Sequence, residues 1–185
     1  MVNPIRTTTI SGTSTIRPAA IAPFPLGAGI LLGVGLGGFF DGIVLHQILQ
    51  WHHMVSSAGH PPDNLENLRV NVFFDGLFHV LTYIFVLAGL GGLWRIARRP
   101  HALWPGRRLT GSLLIGFGLF NSAEGLLNHH FLGLHHVNET VAPANWIYWD
   151  LGFLAWGALM LAVGLWLARS RDPDLPSKGR PNGSA

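Results

Sequence analysis

Carboxylates and histidines recur at matched positions in the apolar part of this chain. Asp41, His46, His52 and His53, in the stretch GVGLGGFFDGIVLHQILQWHH, are answered 83 residues later by Glu124, His129, His135 and His136. Under the same shift Gly33, Gly35, Leu36 and Gly42 fall on Gly116, Gly118, Leu119 and Gly125. A correspondence of this extent reads as an internal duplication. The retained residues are those most costly to place among apolar side chains, so chemistry explains their retention better than packing does. Asp75, His79 and Asp150 add further ionisable groups to apolar segments. An ionised carboxylate in hydrocarbon is costly unless it is paired, hydrated or bound to a cation. No lysine or arginine lies at that depth, and the economical counter-charge is a metal ion held by imidazole and carboxylate. With no cysteine and three methionines, thiolate sites are excluded and a thioether copper relay is disfavoured, leaving nitrogen and oxygen donors. The soluble counterpart is the carboxylate-bridged dinuclear site of a four-helix bundle.

Spacing sharpens this expectation. Asp75 and His79 are four residues apart and share a helical face. His46 and His53 also share a face but stand about 10 Å apart along an α-helix, too far for one ion, and Asp41 and His46 differ by about 140° in azimuth. Two layers are therefore expected. Asp41, His46, Asp75, His79, Glu124, His129 and Asp150 form a membrane-embedded layer. The pairs His52/His53 and His135/His136 form a shallower one, each pair offering one ligand and one orienting partner or complementing a helix C-terminus. His130, matched by Gln47, is at best an orienting group, and His60 and His101 are solvated. Asn121 and Asn128 share a stripe with Glu124 and orient it. His79 has Leu154 as its counterpart, so the two halves are unequal, which suits two dissimilar metal positions or one off-axis ion.

The elements that must position these residues are membrane helices. The 185-residue chain is 49% apolar and 11% charged, with mean hydropathy +0.35, too apolar for an ordinary soluble domain. Four segments reach spanning length, about residues 26–51, 71–94, 109–131 and 146–168. Eleven of the twelve basic residues, all but Arg69, lie before the first segment, between the second and third, or after the fourth. The positive-inside rule then places both termini and the middle loop in the cytoplasm. Trp51, Trp146 and Trp149 fall at the outer interface, and Trp94, Trp104 and Trp166 at the inner one. The fold expected is an all-α integral membrane protein with four transmembrane helices in two tandem two-helix repeats, residues 26–94 and 109–168. A flexible tail (1–25) precedes them and a disordered one (169–185) follows. Both copies enter the membrane in the same direction, so helix 1 faces helix 3 across a pseudo-twofold axis along the membrane normal. The glycines of helix 1 permit close approach there. The basic residues form no stripe with interleaved aromatics, and nucleic acid is excluded as a partner.

In GGFFDGIVLHQILQWHHM, FFDGLFH, GFGLFNSAEGLLNHHFLGLHHV and YWDLGF the chain resembles the bacterial predicted-membrane-protein family called domain of unknown function 2243, over about residues 26–168. The resemblance implies a four-helix integral protein of the bacterial inner membrane distinguished by its Asp, Glu and His residues. A loose association of such proteins with respiratory oxidase assembly would favour copper.

The leading expectation is a metalloenzyme carrying oxidative chemistry at copper or iron, its site open to the periplasm. His46, His79 and His129 would be primary ligands. Asp41, Asp75, Glu124 and Asp150 would ligate, bridge or take protons, and the outer histidine pairs would complete the site or gate it. A zinc hydrolase would use the same ligands. The alternative is a metal-handling protein that binds copper or zinc and delivers it to an oxidase or carries it inward. Residues 80–94 and 151–167 are almost wholly apolar, which counts against a through-path. A bis-histidine haem protein would not need four carboxylates. The expected partners are the lipid bilayer, an oxidase under assembly, and further copies of the chain.

Overall fold

A computed structural model describes residues 24–99 and 104–169. The tails, apart from residues 24, 25 and 169, lie outside these, as does His101. Among the described residues there are four long helices and no strand. Helix α1 (Leu26–Phe39) continues as a π-helix (Phe40–Ile48), and α3 (Gly106–Glu124) likewise as a second π-helix (Gly125–Phe131). Helices α2 (Leu65–Ala97) and α4 (Trp146–Arg169) are α-helical throughout. Helix α2 starts six residues before the apolar segment proposed from sequence, because Asn64 caps it by accepting from Asn67 N–H at 2.9 Å. Its first turns are polar and follow the cap, not the hydropathy.

Helices α1 and α3 pack on each other at the centre, with α2 against α1 and α4 against α3. Among the described residues the backbones of α2 and α3 stay apart, as do those of α1 and α4, and α2 meets α3 through the rings of Phe78 and Phe120, 5.9 Å apart. The central contact is backbone to backbone: a Cβ on Gly33 would strike the carbonyl of Leu113, and one on Gly116 that of Ile30. No larger residue fits either position.

Burial is inverted relative to a soluble bundle. The largest fully buried side chains are all polar, led by His46, His135, Asn71 and Asn121, while Phe73, Leu87 and Trp94 are more than 60% exposed. The outer surface suits hydrocarbon and the interior suits ions. Three helices are long and apolar enough to cross a membrane, over Leu26–Ile48, Leu65–Ala97 and Pro143–Arg169. The third helix, which carries Arg107, Arg108, Asn121 and Glu124 in 19 residues, is less apolar than these three.

Candidate metal centre

The two π-helices place the candidate ligands. Leu49 N–H donates to Val44 O and Leu132 N–H to Leu127 O, both at 2.8 Å and both across five residues. This i→i+5 winding, rare and concentrated at functional sites, aligns residues five apart. Asp41 and His46 therefore share one face, and the 140° separation expected for an α-helix does not occur. His46 Nε2 lies 3.2 Å from Asp41 Oδ2. Each π-helix ends at a left-handed residue, Gln50 (φ 50°) or Gly133 (φ 57°). The next amide closes a wide turn, Trp51 N–H to Leu45 O and Leu134 N–H to Asn128 O, both at 2.9 Å.

These turns fold His52 and His135 back beside His46 and His129. The rings of His52 and His135 stack at 4.5 Å with 6° between planes, and His52 is 4.4 Å from His46, centroid to centroid. The expected separation into two layers is thus replaced by one cluster. Two overlapping triads, His46/His52/His135 and Glu124/His129/His135, each bring one donor atom per residue within 4.8 Å of one another, all buried.

Hydrogen bonds from behind fix how the rings face. His46 Nδ1 donates to Asp75 Oδ1 at 2.9 Å, His52 Nδ1 to Val137 O at 2.8 Å, and His135 Nδ1 to Met54 O at 3.0 Å. With Nδ1 carrying the proton, neutral imidazole presents a lone pair at Nε2. Those Nε2 atoms have no hydrogen-bond partner, nor do either Asp41 oxygen or either His129 nitrogen. His135 Nε2 sits 3.1 Å from Glu124 Oε1, and His52 Nε2 3.9 Å from Asp41 Oδ1. Lone pair facing lone pair in a buried site is uncompensated, so the cluster could hold a cation there, a metal ion among the neutral rings or a proton shared by His46 and Asp41. Burial, reinforced by the neighbouring imidazoles of His135 and His46, holds the His52 pKa well below its ordinary value, which keeps that ring neutral and able to ligate.

The other residues singled out from sequence lie around this cluster. Asp75 accepts from His46, from His53 Nδ1 at 2.7 Å and from Met54 N–H at 2.9 Å. Asp150 accepts from His136 Nδ1 at 2.6 Å and Val137 N–H at 2.9 Å, with His129 Nδ1 3.7 Å away. Asp75 thus stands behind the His46 ring and aims it, as carboxylates behind metal-bound histidines do, whereas Asp150 makes no hydrogen bond to His129, and His53 and His136 bond to these carboxylates rather than facing the cluster. His79 is not brought in: its Nδ1 donates to Asp75 O of its own helix at 2.7 Å, and its ring lies over Phe39. Asn128 Nδ2 donates to Glu124 Oε1 at 2.8 Å, the orienting role expected of it. His130 turns back onto Gly125 O. The backbone carbonyls of Val137 and Met54 escaped sequence reasoning. Their only signal is that each immediately follows a histidine pair.

A cavity of about 670 Å³ reaches His46, His52 and His53 past Ser57, Glu139 and Trp146. Its walls come from the first π-helix, from Leu68 and Val72 of α2 and from the loops that follow the π-helices, and these loops also pair across the halves through Ser57 N–H to Leu134 O at 2.9 Å and Glu139 N–H to Trp51 O at 2.8 Å.

An all-helical membrane protein with a buried histidine–carboxylate cluster able to hold a metal is the class these features define. Residues 28–171 match the family described as predicted membrane protein DUF2243, and the chain belongs to it. No curated protein and no solved structure matches the chain.

Proposed function

We propose that the protein is an integral membrane metalloprotein whose cluster holds two transition-metal ions, copper or iron, and acts as an oxidoreductase. The observation that carries this reading is the convergence of unpartnered Nε2 lone pairs on two carboxylates inside a buried site. His46 and His52 with Asp41 would form one position, His129 and His135 with Glu124 the other. Bound there, the ions would supply one-electron redox chemistry close to a cavity. Asp75 and Asp150 would hold the imidazoles in the ligating tautomer, and Asp41 and Glu124 would ligate, bridge or take protons. The matched bonds of the two hairpins support the reading of two tandem repeats (26–94 and 109–168) and four spans. The arginine distribution supports cytoplasmic termini and a centre facing the periplasm of a bacterial inner membrane. A second reading, a metal-handling protein that delivers copper or zinc to an oxidase, is favoured by the cavity at His52, which would let an ion exchange.

Elemental analysis and an optical spectrum of detergent-purified protein, wild type beside the double variant His46→Ala, His129→Ala, test this reading. Two equivalents of copper or iron retained through dialysis by wild type and lost by the variant are expected. Metal that dialyses away from wild type would favour the carrier. A wild type that binds none of copper, iron or zinc after reconstitution would reduce the cluster to a protonated hydrogen-bond network and overturn the proposal.

A further inference from the structure

Where the backbones of α2 and α3 stay apart, a second cavity of about 690 Å³ opens along the apolar flank of the bundle. Its walls include Phe74, Phe78, Leu81 and Phe120, and it contains two buried or half-buried polar residues, Glu124 and Asn128. Both ends of its inner wall touch the metal centre. Glu124 Oε1 is 3.1 Å from His135 Nε2, and Phe78 stacks on His46 with centroids 5.8 Å apart.

The corresponding gap between α1 and α4 is built from counterpart residues and is smaller, about 420 Å³. Phe40 stands there for Ala123, Leu45 for Asn128 and Trp156 for Leu81, and Asp41 does not line it. Trp51 and Trp149 meet edge to face across it at 5.0 Å. Only one of two otherwise matched gaps therefore reaches a carboxylate of the centre, and it is the larger one.

We propose that the α2–α3 gap is the binding site for a lipid-phase substrate, an aromatic alcohol of the hydroquinone or alkylphenol class. The ring would lie among Phe74, Phe78 and Phe120 in the offset or edge-on contacts aromatics prefer. Its hydroxyl would donate to Glu124, Asn128 would offer a second polar contact, and the alkyl tail would run out along α2 into hydrocarbon. A cavity mostly apolar with a few convergent polar groups is the ordinary form of a small-molecule site. The proposal rests on the metalloprotein reading for its chemistry but not for its binding.

Binding of n-decylhydroquinone to metal-assayed protein in lipid nanodiscs, with n-decylbenzene as the control lacking hydroxyls, tests it. Ala123→Phe and Leu81→Trp, placed on different helices and each importing the counterpart residue of the narrow gap, are expected to weaken hydroquinone binding at least tenfold while metal content is unchanged. Gly152→Leu, in the α1–α4 gap, is expected to leave binding unaltered. Equal binding of decylbenzene, insensitivity to both filling variants, or an equal loss in Gly152→Leu would overturn the site. Wild type that binds the hydroquinone in the Ala123-dependent manner yet holds no metal would sink the metalloprotein reading and leave the groove standing.

Discussion

The two halves of the centre share a backbone and differ in how they use it. In both, a π-helix aligns an acid with a histidine five residues on, a left-handed residue reverses the chain, and an aspartate from the following helix receives the second histidine of a pair. The halves part at the side chains. Asp75 grips His46 at 2.9 Å, whereas Asp150 stands 3.7 Å from His129. Glu124, one methylene longer than Asp41, reaches 3.1 Å from His135, whereas Asp41 remains 3.9 Å from His52. Each acid thus reaches one ring from the front, Asp41 that of His46 and Glu124 that of His135, and only the first half is also braced from behind on its π-helical histidine. On the dinuclear reading, this repeated scaffold would present two metal positions of unequal tightness, as dinuclear sites with divided roles need.

Metal content of single variants gives the strongest break in this comparison. His46→Ala and His129→Ala should each lose one of two ions; loss of both from either would mean a single shared ion and no division of labour. Next in size, Asp75→Asn should weaken metal affinity about 10- to 100-fold, and Asp150→Asn by clearly less, read by competition with a chelator. Equal effects would erase the asymmetry. Gly33→Ala and Gly116→Ala, which force a methyl into facing backbone, should each cost about 1–3 kcal/mol in thermal or denaturant unfolding, and the two should agree because both strike the same contact. The smallest effect separates the turns. Gln50→Gly should stabilise by about 1 kcal/mol, since Gln50 occupies a left-handed conformation that glycine takes without strain, while Gly133→Gln should destabilise by a similar amount.

Much of this was legible in the sequence. Acids and histidines that recur in apolar segments identified Asp41, His46, Glu124 and His129, and the facing glycines located the α1–α3 contact. Ring geometry was not legible, because azimuths reckoned at the α-helical period fail where the helix widens, and nothing in FDGIVLHQI announces π-winding. His52 and His135 were consequently placed above the cluster rather than inside it. His79 misled in the other direction: four-residue spacing set it beside Asp75, but its ring is captured by its own helix. Its counterpart Leu154 was the available warning, since a ligand needed by both halves would have been kept in both.

The bonds that cross between the halves bear on how the protein is made. His52 is held by Val137 O, and His135 by Met54 O, so each half's ligand is aimed by a loop the other half supplies. A ribosome that has released only the first hairpin has delivered Asp41, His46 and His52 without the carbonyl that orients His52. For a centre that holds metal, tight capture would therefore wait for the second hairpin to dock and supply that carbonyl. Maturation of such a centre would in this way check complete synthesis.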